Sequence, residues 1–343
     1  MILVSGYYGY GNLGDEAVLA ALCQDLLALG ISRQEIVVPS GNPKQTTADH
    51  GVAAVGRFDL KEIWRILGSA RCLISGGGSL LQDVTSKRSI PYYLTLVEMA
   101  LLRKVPVVMY GQGLGPIWSK PYQAWTARAY RQAASCSVRD EASLGFLKDL
   151  GVDEDKVLLA ADPVFSRAAG RSSGYRAKKL LLNLRPYSRW EAQKGQWLAY
   201  LRGWQQRGWT VEFAPLGPGD EELGRALEAG CPELRVHPKV ELGHVDSVFQ
   251  GAALCISMRL HGVIFSVLND CQPVAVSYDP KVEAVSSQLK TPYIEVEGLE
   301  GLNDLITQVL LNSEEMRTEY QRSLADLRRR AEHNRKALAQ VLR

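Results

Sequence analysis

The sequence predicts an α/β protein of two successive open sheets with helices on both faces, and three observations predict it. Short β-branched runs alternate with helical patterns along most of the chain, as in parallel sheets whose crossovers are helices. The alternation breaks at the polar stretch SRAAGRSSGYR and then restarts. At 343 residues the chain also exceeds what one hydrophobic core usually supports. The expected division is 1–165 for a first domain, 166–176 for a linker, 177–312 for a second domain and 313–343 for a C-terminal helix.

Strands are expected first at MILVSGY, EIVVPS, CLISGG, PVVMYG, SCSVR and KVLLAA, then at KLLLNLR, TVEFAPL, LRVHP, ALCISMR, PVAVSY and PYIEV. After Asn312, residues Met316, Tyr320, Leu324, Leu327, Ala331 and Leu338 recur at helical spacing. The opposite face of that helix carries Arg317, Arg322, Arg328, Arg329, Arg330, Arg335 and Lys336. No solenoid repeat and no low-complexity tract interrupts this order.

Composition bounds the partners. With 46% hydrophobic and 22% charged residues the chain is globular rather than disordered. A net charge of +3 is too mild for a nucleic-acid footprint, so an anionic partner must meet a local patch. Cys23, Cys72, Cys136, Cys231, Cys255 and Cys271 are widely spaced, form no C-x-x-C pair and read as reduced core residues. His50, His237, His244, His261 and His333 are scattered, so no metal is expected. The amino terminus lacks a basic region, and no stretch reaches the ~18 apolar residues of a membrane span. The expected location is the cytoplasm.

The first strand empties into GYGNLGDEAVL, where Gly9, Gly11 and Gly14 fit the G-x-G-x-x-G spacing of dinucleotide sites. Asp15 and Glu16 argue against that ligand. A pyrophosphate sits on the helix amino terminus, where two carboxylates would repel it. The strand IVVPS also ends without the acidic residue that a ribose needs. The other strand ends of this half are GGGSLLQD, YGQGLGP and SVRDE. Glycine there lets a ligand approach the backbone, and exposed N–H groups form anion nests. One such loop needs no more than a tight βα turn, but four at the carboxyl ends of one sheet point to a crevice wall.

Charge marks the remaining ends. Arg139 follows SCSV and precedes a helix that Asp140 caps, so it either meets a ligand or pairs with a neighbouring carboxylate. In ALCISMRLHGVIF, Arg259 and His261 would share a strand face while Leu260 turns away. A histidine beside an arginine at a strand end is an acid/base candidate whose neighbour disfavours its protonation. Lys281, in VAVSYDPKV, reaches the same crevice if its strand neighbours that of Ser257; otherwise it is a solvated turn lysine. Arg139, Arg259, His261 and Lys281 together imply an anionic ligand held between the halves.

The ordered set GYYGYGNLGDEAVL, GGGSLLQDVTSKRSIPYYL, GQGLGPI, SVRDEAS, ADPVF, MRLHG and YDPKV resembles the polysaccharide pyruvyl transferase family, most of all the CsaB-type enzymes that pyruvylate secondary cell-wall polymers. The resemblance runs to about residue 285. It implies a glycosyltransferase-B-like α/β architecture, two Rossmann-like domains facing across a cleft. It also implies phosphoenolpyruvate as co-substrate with no cofactor, and a 4,6-linked pyruvate ketal on a sugar of an S-layer-anchoring polymer. Arg139, Arg259, Leu260, His261 and Lys281 are its donor-binding residues. The stretch from Trp190 to Val240 matches no motif and leaves acceptor choice open.

On this resemblance His261 transfers a proton to the methylene carbon, one hydroxyl adds at C2, phosphate leaves and a second hydroxyl closes the ketal. The first-domain loops would receive the sugar through Asn12, Asp15, Gly77, Gly78, Asp83 and Arg88. Asp15 is either the base for the attacking hydroxyl or a stabiliser of its helix terminus, and Asp83 either binds sugar or caps locally. Lys87 and Arg88 face an acceptor diphosphate or solvent. A lipid-linked glycan acceptor requires peripheral contact with the cytoplasmic membrane surface, for which the basic face of the last helix is one source of attraction. The other reading of that helix has its apolar stripe packed and its arginines solvated. A nucleotide-sugar glycosyltransferase of the same fold and a non-catalytic module for anionic glycans stay open as alternatives.

Overall fold

A computed structural model describes residues 1–83, 89–168 and 177–342. The chain divides into two compact units. The first comprises Met1–Tyr10, Asp15–Arg167 and Leu327–Arg343, the second Gly11–Gly14 and Ala168–Asp326. The units therefore interleave in sequence, unlike the continuous segments expected above. Most of the expected linker, residues 169–176, lies outside the described residues.

The first unit is built on eight parallel strands: β1 Ile2–Ser5, β2 Ile36–Ser40, β3 Ala53–Gly56, β4 Cys72–Ser75, β5 Gly78–Leu81, β6 Val107–Leu114, β7 Ser135–Val138 and β8 Val157–Leu159. Their order is β3-β2-β1-β4-β6-β7-β8, with β5 pairing β6. Helices cover both faces of such a sheet, so its strands read as unbroken apolar runs; β1, β4 and β7 are buried along their whole length. The order reverses between β1 and β4, and ligands of open α/β sheets bind at such a switch point, beyond the carboxyl ends of the strands.

The second unit repeats the plan with β9 Ala177–Asn183, β10 Thr210–Phe213, β11 Arg235–Val236, β12 Ala252–Ser257, β13 Gln272–Ser277 and β14 Tyr293–Glu295. Its order is β11-β10-β9-β12-β13-β14, all parallel, with the switch point between β9 and β12. Every expected strand is present, and β12 and β13 are neighbours, as the argument for Lys281 required. Two strands went unpredicted, β3 and β5.

The C-terminal helix spans Ser313–Leu342. Tyr320, Leu324, Leu327, Ala331 and Leu338 are buried, as their spacing predicts. Its basic face is less solvated than expected. In the second unit Arg317 donates through Nε to Asp270 Oδ1 at 2.7 Å. In the first unit Arg330 donates to the Ala160 carbonyl at 3.1 Å, and Arg335 lies 3.9 Å from Asp25. Asn334, fully buried, donates to the Ala161 carbonyl at 2.9 Å. All six cysteines are buried and none is disulfide-bonded. Among the described residues no helix is long and apolar enough to cross a membrane.

Candidate active site

The second unit gathers cations at the carboxyl ends of three adjacent strands, β9, β12 and β13. Arg259 is not on a strand, as its spacing suggested. β12 ends at Ser257, Arg259 is the residue before a helix, and Leu260 and His261 open that helix, Leu260–Leu268. Gly262 makes the early turn possible, since any Cβ there would lie 2.1 Å from Ser257 Oγ. Arg259 and His261 therefore owe their placement to a helix start rather than to a shared strand face, and Leu260 turns into the protein, 7% exposed.

The Arg259 guanidinium grips Asp220 at 2.7 Å through Nε and 2.5 Å through Nη2. Asp220 is fully buried and also accepts from Asn183 Nδ2 at 3.2 Å and the Leu216 N–H at 3.0 Å. Nη2 reaches the Pro218 carbonyl as well, at 3.3 Å, and Nη1 has no protein partner among the described residues. Gly217 lets the guanidinium lie against the backbone, where a Cβ would come within 2.5 Å of it. A bidentate pair of this kind fixes the arginine while leaving one edge for a ligand.

His261 packs against the tip of the glycine loop. A Cβ on Gly14 would fall 2.0 Å from His261 Nδ1, so the glycine is what leaves room for the imidazole. The Leu13 N–H donates to the Leu216 carbonyl at 2.9 Å, and Asn12 Oδ1 accepts from the Gly14 N–H at 3.3 Å. Asn12, Gly14 and His261 thus belong to one unit.

Lys281 lies in the first turn of the helix Pro280–Leu289, beyond the end of β13. Its Nζ is 3.2 Å from Asp279 Oδ2 and 5.7 Å from the centre of the Tyr278 ring. The same ring carries Arg185, whose guanidinium carbon is 4.4 Å from the ring centre and which donates to the Tyr278 hydroxyl. Arg185 follows β9 and was not foreseen from sequence, although it sits two residues past the strand in NLRPY.

In the first unit Arg139 is 5% exposed and held on three sides. It donates to Asp162 at 3.2 Å, to Asp140 at 3.4 Å and to Ser79 Oγ at 3.0 Å. Asp140 caps the helix Glu141–Asp149 as expected, accepting from the Ser143 N–H at 2.7 Å. Asp162, from the ADPVF motif, also accepts from the Val164 N–H at 3.1 Å.

Asp15 and Glu16 both lie in the first turn of the helix Leu13–Ala28. Glu16 accepts from the Gly9 N–H at 2.8 Å and faces His50 at 2.9 Å, which ties the loop to its own helix. Asp15 lies beside Gly78, whose φ is +100° and whose Cβ would sit 3.0 Å from Asp15 Oδ1. A Cβ on Gly77 would meet Val18 at 2.9 Å. Asp83 takes the local role: its oxygens accept from the Trp118 N–H at 2.9 Å and the Ser119 N–H at 3.0 Å. Lys87 and Arg88 lie outside the described residues.

Sequence reasoning also missed an aromatic box after β3. The buried Arg57 guanidinium lies 4.1 Å from the Tyr92 ring centre, 5.1 Å from Tyr93, 5.4 Å from Tyr10 and 5.7 Å from both Tyr7 and Phe58. Burial opposes its charge, but the phenols of Tyr93, Tyr92 and Tyr10 outweigh that and raise its pKa. Tyr7 and Tyr10 stack at 4.5 Å, and Tyr7 is 37% exposed. Burial and the nearby Asp15 carboxylate push the Tyr7 phenol up. The repeated tyrosines of GYYGYG and IPYYL were the available signal.

The profile of the polysaccharide pyruvyl transferase family matches residues 12–280. The chain belongs to that family. Its motifs now have places: ADPVF supplies a carboxylate to Arg139, MRLHG turns from strand to helix at Arg259, and YDPKV carries Tyr278 and Lys281. Among solved structures this pyruvyl transferase is similar to Anabaena HepE in complex with UDP and glucose, at 13% identity over 99% of this chain and 98% of that one, with a TM-score of 0.60. UDP-GlcNAc 2-epimerase from Neisseria meningitidis, bound to UDP-GlcNAc, matches at 12% identity over 99% and 100% of the chains, with a TM-score of 0.64. A putative UDP-N-acetylglucosamine 2-epimerase from Listeria monocytogenes matches at 10% identity over 93% and 90%, with a TM-score of 0.66. These likenesses establish the fold, a glycosyltransferase-B-like α/β chain with two parallel sheets and a C-terminal helix. No curated protein matches the sequence significantly.

Proposed function

We propose that this pyruvyl transferase takes pyruvate from phosphoenolpyruvate and sets it as a 4,6-ketal on a sugar, N-acetylmannosamine in a lipid-linked precursor of a secondary cell-wall polymer, with release of phosphate. The observation that carries the reading is the cluster of Arg185, Arg259, His261 and Lys281 at the ends of three adjacent strands of one sheet. Phosphoenolpyruvate brings a carboxylate and a phosphate of nearly two charges. A guanidinium N–H makes a charge-assisted hydrogen bond to either group, Arg259 through the Nη1 that Asp220 leaves over, and an ammonium adds a point charge. Arg139 is assigned to the donor on the family resemblance alone.

The chemistry needs one proton delivered and two removed. His261 gives a proton to the methylene carbon, which leaves C2 as an oxocarbenium-like centre. A sugar hydroxyl adds there and loses its proton. The C2–O bond to phosphate then breaks, phosphate departs with the electron pair and takes up one of the two hydroxyl protons, and the second hydroxyl closes the ketal as the other proton restores His261. General acid–base help of this kind contributes about 10²–10⁴ in rate. No cofactor enters this sequence.

The acceptor sugar is assigned to Asp15, Gly77 and Gly78 of the first unit, with the Tyr7 and Tyr10 rings offering a face on which a pyranose stacks. The enzyme works on the cytoplasmic side of a membrane, where lipid-linked precursors are presented. Phosphate release from phosphoenolpyruvate, with and without a lipid-diphosphate N-acetylmannosaminyl-N-acetylglucosamine acceptor, tests the reading. Acceptor-dependent release and a glycan heavier by one pyruvyl ketal support it. Thermal protection by a UDP-sugar and none by phosphoenolpyruvate replaces it with the nucleotide-sugar alternative.

A further inference from the structure

We propose that one edge of the first unit is a docking surface for an anionic lipid bilayer. It is formed by the helix Leu60–Leu67, the residues before it and the end of the helix Ser89–Leu102. Eleven large apolar side chains are substantially exposed among the described residues, and four of them gather here: Phe58 at 75%, Leu60 at 44%, Trp64 at 38% and Leu102 at 74%. Single exposed apolar residues need no explanation, whereas a cluster does.

The helix Leu60–Leu67 already buries one stripe, since Ile63, Ile66 and Leu67 are 0–2% exposed. Leu60 and Trp64, four residues apart, form a second apolar face that the fold leaves uncovered. The Arg103 guanidinium carbon lies 4.1 Å from the Trp64 ring centre, which joins the two helices into one surface. Arg103 is followed by Lys104, in a left-handed turn with φ of 57°.

Charge selects the occupant. Asp59 spends its carboxylate on the Glu62 N–H, and Glu62 pairs with Arg65. Lys61, Arg103 and Lys104 are exposed and have no carboxylate within 4.0 Å among the described residues. Apolar tips including a tryptophan, rimmed by surplus lysine and arginine, match the boundary between anionic headgroups and acyl chains. Phe58 also directly follows Arg57, the centre of the tyrosine box at the carboxyl end of β3. A lipid-linked sugar held by a bilayer at this edge is delivered beside the rings proposed to stack on it. In that last respect the inference rests on the proposed acceptor; the membrane contact itself does not.

The test is vesicle flotation of the full chain without donor or acceptor, so failure of the pyruvyl-transfer reading leaves it intact. Wild type is expected to float with vesicles containing phosphatidylglycerol and to stay behind with pure phosphatidylcholine. Lys61→Glu or Lys104→Glu should weaken binding by at least about fivefold each, and Trp64→Ser by about tenfold, with unchanged melting temperatures. Brominated lipid should quench wild-type fluorescence more than that of Trp64→Phe. The triple variant Arg322→Ala/Arg329→Ala/Lys336→Ala should bind as wild type does. Absence of binding, loss of binding in that triple variant alone, or a concentration-dependent dimer abolished by Trp64→Ser without vesicle binding would each overturn the proposal.

Discussion

The two sheets share a plan but differ in what stands at their carboxyl ends. Beyond the first lie glycine loops, stacked tyrosines and an arginine held by aromatic faces; beyond the second lie Arg185, Arg259, His261 and Lys281. On the proposed function the difference separates two recognition problems, a neutral sugar and a small trianion. Arg139 tests that division, because it stands on the first sheet yet resembles Arg259. Both guanidinia lie on a glycine, Gly113 or Gly217, and both grip a buried aspartate, Asp162 or Asp220. Arg139 is held by Asp140, Asp162 and Ser79, whereas Arg259 Nη1 has no protein partner among the described residues.

The contrast can be broken most sharply at the glycine that touches the imidazole. Gly14→Ala puts a Cβ 2.0 Å from His261 Nδ1. It should lower kcat about a hundredfold, since an ångström of misplacement costs that much, while thermal protection by phosphoenolpyruvate persists. The arginine pair comes next. Arg259→Lys should raise KM for phosphoenolpyruvate by about ten- to a hundredfold, losing a charge-assisted bond of ~1.5–3 kcal/mol. Arg139→Lys should cost more stability, roughly 1–3 kcal/mol in denaturant unfolding, because a compact ammonium cannot reach three acceptors that are met by three separate guanidinium nitrogens. An unchanged KM in Arg139→Lys would remove Arg139 from the donor site.

A smaller effect sharpens the acceptor side. Tyr7→Ala should raise KM for the acceptor about five- to tenfold, the worth of one stacked ring, without altering KM for phosphoenolpyruvate. The smallest concerns the scaffold. Burial pushes the Asp25 carboxyl from 3.8 up to about 6, although Tyr110 hydrogen-bonds to it. A raised carboxyl favours the folded state fully below pH 3.8, and that stabilisation is lost as pH rises through about 6. Asp25→Asn should therefore be more stable than wild type by ~1–2 kcal/mol at pH 8, with the gap closing below pH 4 in melts followed by circular dichroism.

Strands were legible because parallel strands covered on both faces advertise themselves as apolar runs. β3 escaped because AAVG is an exposed edge with one β-branched residue, and β5 because GSLL hides inside GGGSLLQD. The reading of Arg259 and His261 as strand neighbours failed because a continuous apolar run does not distinguish a buried strand from a buried helix. LHGVIFSVL proved to be helix. Asp220 was invisible for a different reason, since it is 39 residues from Arg259 and only the fold unites them. Arg57 was passed over because its partners are rings drawn from three separate segments.

The most direct test of the account compares wild type with His261→Ala, each given phosphoenolpyruvate and the lipid-diphosphate disaccharide, with phosphate release timed and the glycan weighed by mass spectrometry. The account predicts acceptor-dependent phosphate release and one pyruvyl ketal per glycan in wild type. In His261→Ala it predicts a fall in kcat of about 10²–10⁴ with donor affinity retained. Equal turnover in the two proteins, or no phosphate release by wild type with any sugar acceptor, would contradict it.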